Sequence, residues 1–232
     1  GFTAVSKTDQ ESVAAIASMG LKSKVTCLAR AVQKDIDLAL DCGVWAAILE
    51  VPVGYPRLKY QFEWEEQELI RRTMEAIEYA DKRGMNLILF MIDTARARGA
   101  FLQEFVQKTS GSASVKKLSV VDTLGAATPE TISLLVSAMK EWTTVPIEVH
   151  CHNDFGMGVS NTIAGLMAGA QSFSCTVNGL GQRAGNASLE EVVLALQLMY
   201  GVPSNLNLAP IRGLSAYRSE ERRVGKECRS RW

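Results

Sequence analysis

The chain has 232 residues, 47% of them hydrophobic, and its 25 basic and 25 acidic side chains cancel. That is enough apolar chain for one large domain or two small ones, and the lack of any run of ~18 apolar residues argues against a membrane-spanning helix. Zero net charge without a basic stripe excludes the usual footprint of a nucleic-acid binder, while five scattered cysteines with no C-x-x-C pair suit a reducing, cytoplasmic setting.

In chain order, short β-rich runs alternate with amphipathic helical patterns. Helices are predicted at 9–19, 33–42, 65–83, 99–109, 129–142, 158–168 and 188–200, and strands at 24–30, 45–53, 85–93, 117–123, 147–152 and 172–178. Gly20, Gly43, Gly84 and Gly169 fall where helices should stop. Thr128-Pro129 places a cap before a proline at the first helical position, and Ser188 to Glu191 forms a capping box. Such regular units suit either a (β/α)8 barrel or an open doubly wound sheet. Arg30, Asp93, Thr123, His150, His152 and Asn178 all stand at or just beyond the C-terminal ends of different strands. A barrel gathers those ends around one mouth, whereas an open sheet brings only two together, so the expected fold is an α/β (TIM) barrel. Residues 218–232 break the rhythm with six basic and three acidic side chains and no apolar periodicity. They read as adapter-derived sequence outside a barrel domain at 1–217, the alternative being a basic tail for an anionic partner.

The chemistry-bearing motifs follow the same order. Tyr55 to Tyr60 places two cations and two tyrosines in a loop on the presumed active face, either solvated or suited to an anionic cofactor. Asp93 closes an apolar strand, as a base, a ligand-orienting group or a turn cap. Asp122-Thr123-Leu124-Gly125 ends the next strand; Thr123 could donate to a substrate carboxylate, or the motif could be only a capped turn. His150 and His152 are the only histidines, and strand alternation sends both imidazoles to one face, as a divalent cation requires; a hydrogen-bonded pair is the bland alternative. Last, the glycine-rich loop 178–186 lacks the spacing of a dinucleotide fingerprint but delivers Gln182, Arg183 and Asn186 to the mouth. Asn186 could complete a metal shell and Arg183 could hold a carboxylate or phosphate; a surface loop with Asn186 as a helix cap is the alternative.

Taken together, DTLGAATP, then VHCHNDFGMGVSN, then NGLGQRAGNASLEEV resemble the metal-dependent family of 2-isopropylmalate, homocitrate and citramalate synthases, with hydroxymethylglutaryl-CoA lyase as a relative. The resemblance runs from Gly1 to about Val202 and implies a barrel that condenses acetyl-CoA with a 2-oxo acid at Mg2+, Mn2+ or Zn2+, as a cytoplasmic homodimer of amino-acid biosynthesis. It implies His150, His152 and, more weakly held, Asn186 as metal ligands, Thr123 as the contact to the oxo-acid carboxylate, and Asp93 at the acidic strand-end position as the catalytic carboxylate, to which the loop reading adds Arg183 as a substrate-binding residue. It also implies a preceding Arg-Asp pair with no counterpart here, so that the six strands would be strands three to eight of a truncated barrel with little activity alone. The lyase resemblance would call for a cysteine in the last loop, which 178–187 lacks. Gln182 stands where the synthases have glutamate, and no basic residue occurs near Leu89, which disfavours a dicarboxylic oxo acid. C–C cleavage on the same site and a non-catalytic binding or oligomerisation module remain the competing functions.

Overall fold

The strands form because their β-branched and aliphatic runs can be buried against helices on one face while alternate residues stand on the other. The structure, a computed structural model, describes residues 1–202 and 206–225. It contains β1 (Thr26–Arg30), β2 (Ala46–Pro52), β3 (Asn86–Ile92), β4 (Val115–Asp122), β5 (Ile147–Cys151) and β6 (Ser172–Ser174). These make one sheet in chain order in which every pairing is parallel. The helices are α1 (Lys7–Ala17), α2 (Gln33–Asp41), α3 (Tyr55–Arg57), α4 (Glu66–Arg83), α5 (Gly99–Thr109), α6 (Pro129–Trp142), α7 (Gly158–Met167), α8 (Leu189–Leu198) and α9 (Ile211–Gly225). Sequential parallel strands joined by helices are the geometry of a (β/α) barrel, and the described residues form an incomplete one.

The core lies between sheet and helices. Leu49, Val51, Leu89, Met91, Leu118, Val120, Val149 and Cys151 project outward from their strands and are fully buried beneath the helical layer. Each such aliphatic side chain contributes ~1.5–3 kcal/mol by leaving water. Helix ends follow the sequence signals: Thr128 and Ser188 accept from the backbone N–H groups of Thr131 and Glu191, and Gly84 ends α4 at φ 70°. At the β1 edge, Phe2 makes a parallel bridge to Leu28, whose N–H donates to the Gly1 carbonyl at 3.0 Å.

Two elements depart from expectation. β6 has three residues, not the seven anticipated, because Thr176 leaves the sheet to bridge Ser188 and Asn178 turns left-handed at φ 60°. The expected loop after β2 is helical, α3 passing into a π-helical stretch Leu58–Phe62 that ends at left-handed Glu63. Helix α9 spans the expected domain boundary at residue 217 and continues to Gly225. The remainder of the expected tail, 226–232, lies outside the described residues.

Candidate metal centre

Along β5 the side chains alternate, so Ile147, Val149 and Cys151 enter the helical layer while Glu148 and His150 face inward, with His152 just beyond the strand end. The two imidazoles converge, Nε2 to Nε2, at 3.4 Å. Ser174, the register partner of His150 on β6, lies with its Oγ 2.9 Å from His150 Nδ1. Asn186 arrives from the glycine loop, its Nδ2 3.1 Å from His150 Nε2. That loop is laced to the strand end by Asn153 N–H to the Gly185 carbonyl at 2.9 Å and Ala187 N–H to the Cys151 carbonyl at 3.0 Å. Its glycines are needed for this approach, since a Cβ on Gly181 would collide with Asn186 Oδ1 and one on Gly185 with the Gly179 carbonyl oxygen.

Hydrogen-bond partners define the state of His150. An amide N–H directed at Nε2 makes that atom an acceptor, which leaves the ring proton on Nδ1 to be donated to Ser174. Burial, and then the neighbouring His152, push the His150 pKa down to about 4, so the ring is neutral near pH 7. His152 is also lowered, first by burial and then by the Arg183 charge, with the Gln182 carbonyl among the groups acting the other way. No hydrogen bond of normal geometry reaches its buried Nδ1. Two neutral imidazoles with facing nitrogens are the donor set of a divalent cation. Nitrogens ~2.1 Å from one tetrahedral ion would stand about 3.4 Å apart, which fits the observed spacing. Turning the Asn186 amide over would add Oδ1 to the same point. Among the described residues no group of three or more His, Cys, Asp or Glu could hold a metal, so a shell built here would draw only part of its ligands from these residues.

Thr123 lies at the end of β4, buried, at the meeting point of two other expected site residues. The Asp93 N–H donates to Thr123 Oγ1 at 2.8 Å, and Arg183 donates to the Thr123 carbonyl at 2.6 Å. Asp93 itself is left-handed at φ 64°, and its carboxylate is turned to Arg96 at 2.6 Å. Arg183 is also left-handed and grips Asp154 through two bonds of 2.8 and 3.0 Å. The structure therefore brings Thr123 together with Asp93 and Arg183, while the charged ends of the latter two are committed to neighbours. Arg30 turns to Asp35 at 2.8 Å, and Asn178 bonds Ser215 of α9, so neither contributes to the histidine cluster. In the Tyr55–Tyr60 stretch, Lys59 sits over both tyrosine rings and Arg57 donates to Gln61. Leu89 packs outward, leaving Ile88 and Phe90 as the inward residues on either side of it.

Ser174, Asp154 and the inward row containing Glu50, Phe90 and Glu148 were not anticipated. Their only signal is strand parity combined with inter-strand register, and register depends on how each helix returns the chain to the sheet.

The family profile described as HMGL-like matches residues 1–217. Homocitrate synthase AksA of Methanopyrus kandleri is 38% identical over 220 residues, 95% of this chain and 55% of that protein. A 2-isopropylmalate synthase of Methanocaldococcus jannaschii is 39% identical over 215 residues, 93% of this chain and 41% of that protein. The chain thus spans about half the length of the curated relatives it matches. Among solved structures, the HMG-CoA lyase from Brucella melitensis aligns with a TM-score of 0.78 at 18% identity, covering 94% of this chain and 80% of that one, a likeness of fold.

Proposed function

Because the chain belongs to the HMGL-like family, we propose that it carries the barrel site of a synthase that condenses acetyl-CoA with a 2-oxo acid. The observation that carries this reading is the convergence of two neutral imidazoles beside a threonine hydroxyl whose proton is free. His150, His152 and Asn186 would hold Mg2+, Mn2+ or Zn2+, which when bound supplies Lewis-acid polarisation of the oxo carbonyl.

The remaining work falls to the chain's own groups. Thr123 Oγ1 already accepts from the Asp93 N–H, so its single proton points away from that bond, available to a substrate carboxylate. Arg183 fixes the Thr123 backbone from the other side and ties the glycine loop, through Asp154, to the end of β5. In this proposal Asp93 and Arg183 are positioning residues that act through Thr123, in place of the proton-transfer and anion-binding roles expected of them. The Ser174 bond holds the proton of His150 on Nδ1 and its lone pair toward the mouth. In the proposed reaction the acetyl methyl carbon forms a bond to the oxo carbon as the methyl proton passes, by way of solvent, to the oxo oxygen, whose C=O becomes C–OH, and water then cleaves the thioester to a carboxylic acid and the CoA thiol. A homodimer and a cytoplasmic setting belong to the same proposal; among the described residues no helix is long and apolar enough to cross a membrane.

The test is thiol release from acetyl-CoA by the chain completed with the preceding Arg-Asp strand that the resemblance implies, with Mn2+ and a panel of 2-oxo acids, followed with a thiol reagent. Release that requires both oxo acid and cation is the expected result. Its absence across the panel overturns the proposal, and release of acetoacetate from hydroxymethylglutaryl-CoA would replace it with the cleavage reaction.

A further inference from the structure

Beneath the histidines the inner face of the sheet carries a second row, fixed by register: Arg30, Glu50, Phe90, Ser119, Glu148 and Ser172 are successive neighbours across the six strands. The row directly above it contains Pro52, Ile92, Val121, His150 and Ser174. The two rows touch at the site, where the Phe90 ring meets the His150 ring edge-on with centroids 4.9 Å apart. A small acid anchored at Thr123 and the histidines therefore has this lower row as the floor for its side chain.

The charges on that floor are unequal. Glu148 is satisfied, accepting from Ser119 at 2.8 Å and pairing with Lys117 at 3.3 Å, and Lys117 is thereby occupied. Arg30 is drawn out of the row by its two-pronged bond to Asp35 at 2.8 and 2.9 Å. Glu50 is different: half-buried, it has neither a hydrogen bond nor an ion pair among the described residues. Burial pushes its carboxyl pKa up, and Arg57 on the turn after β2 opposes that without reversing it. No strand position on this floor offers an unengaged cation. Its register partners are Phe90 on β3 and Arg30 on β1, the latter's guanidinium turned to Asp35, and Ile48 and Pro52 flank it on the same face of β2.

Resting on the synthase reading above, we infer that Glu50 is a specificity-determining residue, selecting 2-oxo acids with an uncharged side chain and rejecting those with a second, distal carboxylate. A distal carboxylate brought to this floor would meet a second carboxyl group that has no bonded cation, so its binding bears the cost of either like-charge repulsion or the uptake of a proton by the pair. An alkyl side chain of the same length would meet Phe90 and Ile48.

The experiment compares 2-oxopentanoate with 2-oxoglutarate, which differ only in methyl against carboxylate at the far end. Calorimetry with the full chain and Mn2+ gives both affinities for the wild type, Glu50→Gln and Glu50→Ser, with thermal melts to verify folding. The wild type should bind 2-oxopentanoate at least tenfold more tightly, and that ratio should shrink at least tenfold in whichever variant folds. Equal or tighter binding of 2-oxoglutarate by the wild type, an unchanged ratio in a folded variant, or binding of neither acid overturns the inference. Discrimination that moves with Glu50 while no CoA thiol is released would support it and remove only the condensing reaction.

Discussion

Replacing Ser174 by alanine tests whether the site is a cation site, because Ser174 meets His150 at Nδ1, the ring nitrogen other than the one that faces His152. Its Oγ lies 2.9 Å from Nδ1, while Nε2 faces His152 at 3.4 Å and Asn186 at 3.1 Å. In Ser174→Ala the Nδ1 proton loses its acceptor in a buried setting, which costs ~1–3 kcal/mol of folding stability. That penalty is common to the free and loaded forms and cancels in the affinity. What does not cancel is the tautomer: a ring released from Ser174 can move its proton to Nε2, the position a cation needs as a lone pair. Loss of such a second partner lowers metal affinity ~10–100-fold, or about 1.4–2.7 kcal/mol. Because Asn186 still donates to Nε2 and opposes the proton shift, the lower end, ~10-fold, is expected. Calorimetric titration with Mn2+ gives the affinity, a thermal melt the stability, and Ser174→Thr should restore both. A Ser174→Ala protein that folds and binds Mn2+ within twofold of the wild type would refute the tautomer argument.

Three other perturbations bear on the site and its scaffold. His150→Ala combined with His152→Ala should abolish the Mn2+ heat, whereas Asn186→Ala should weaken it; retention of wild-type affinity in the double variant would remove the metal centre. Thr123→Val removes the hydroxyl but keeps the shape, so KM for the oxo acid should rise ~10–100-fold, the worth of a hydrogen bond to a charged group, with kcat changed less. Asp35 supplies a pH effect: burial alone would raise its carboxyl pKa, but bonds from the Arg30 guanidinium and N–H outweigh it and hold the pKa below its usual value. A carboxyl lowered in the folded state stabilises it above the unfolded pKa, and this contribution disappears as pH falls through the folded value. Urea midpoints measured from pH 5 downward should therefore fall more steeply for the wild type than for Asp35→Asn, and parallel curves would count against the pair.

Much of this was legible in the sequence because the strongest signals are local. Alternation of apolar runs with helical patterns gives six strands and their helices, and the capping residues Thr128 and Ser188 act where they are read. The convergence of His150 with His152 is legible too, since i and i+2 on a strand must share a face. Asn186 was legible only as one of two readings, shell member or helix cap, because its approach depends on Gly181 and Gly185 letting the loop fold back on the strand end. Partner choice was illegible. Arg183 reads as a free cation, yet Asp154 and the Thr123 carbonyl claim it, and Asp93 is claimed by Arg96. Glu50 and Glu148 are both inward-facing carboxylates by parity, but only the positions of Lys117 and Ser119 distinguish the satisfied one from the unsatisfied one.

The Asp122-Thr123 pair shows why a motif can carry two readings at once. As a sequence, D-T-x-G is either a capped turn or a functional contact, and strand alternation gives one role to each residue. Asp122 points to the helical side, where its carboxylate accepts from Ala126 N–H at 3.1 Å, Ala127 N–H at 3.2 Å and Asn161 Nδ2 at 3.3 Å. Burial raises its pKa foremost, and those donors oppose the rise by favouring the charged form. Its carbonyl also accepts from the His152 N–H at 3.2 Å, so the same residue shapes the Gly125 turn and seats the second histidine. Thr123, one residue on, faces the mouth. Since Gly125 is left-handed and a Cβ there would crowd the Asp154 N–H, the turn can close only with glycine. That closure sets Asp154 within reach of Arg183, whose bond to the Thr123 carbonyl completes the circuit. The capped turn is thus the means by which the threonine, the second histidine and the glycine loop are held in one place.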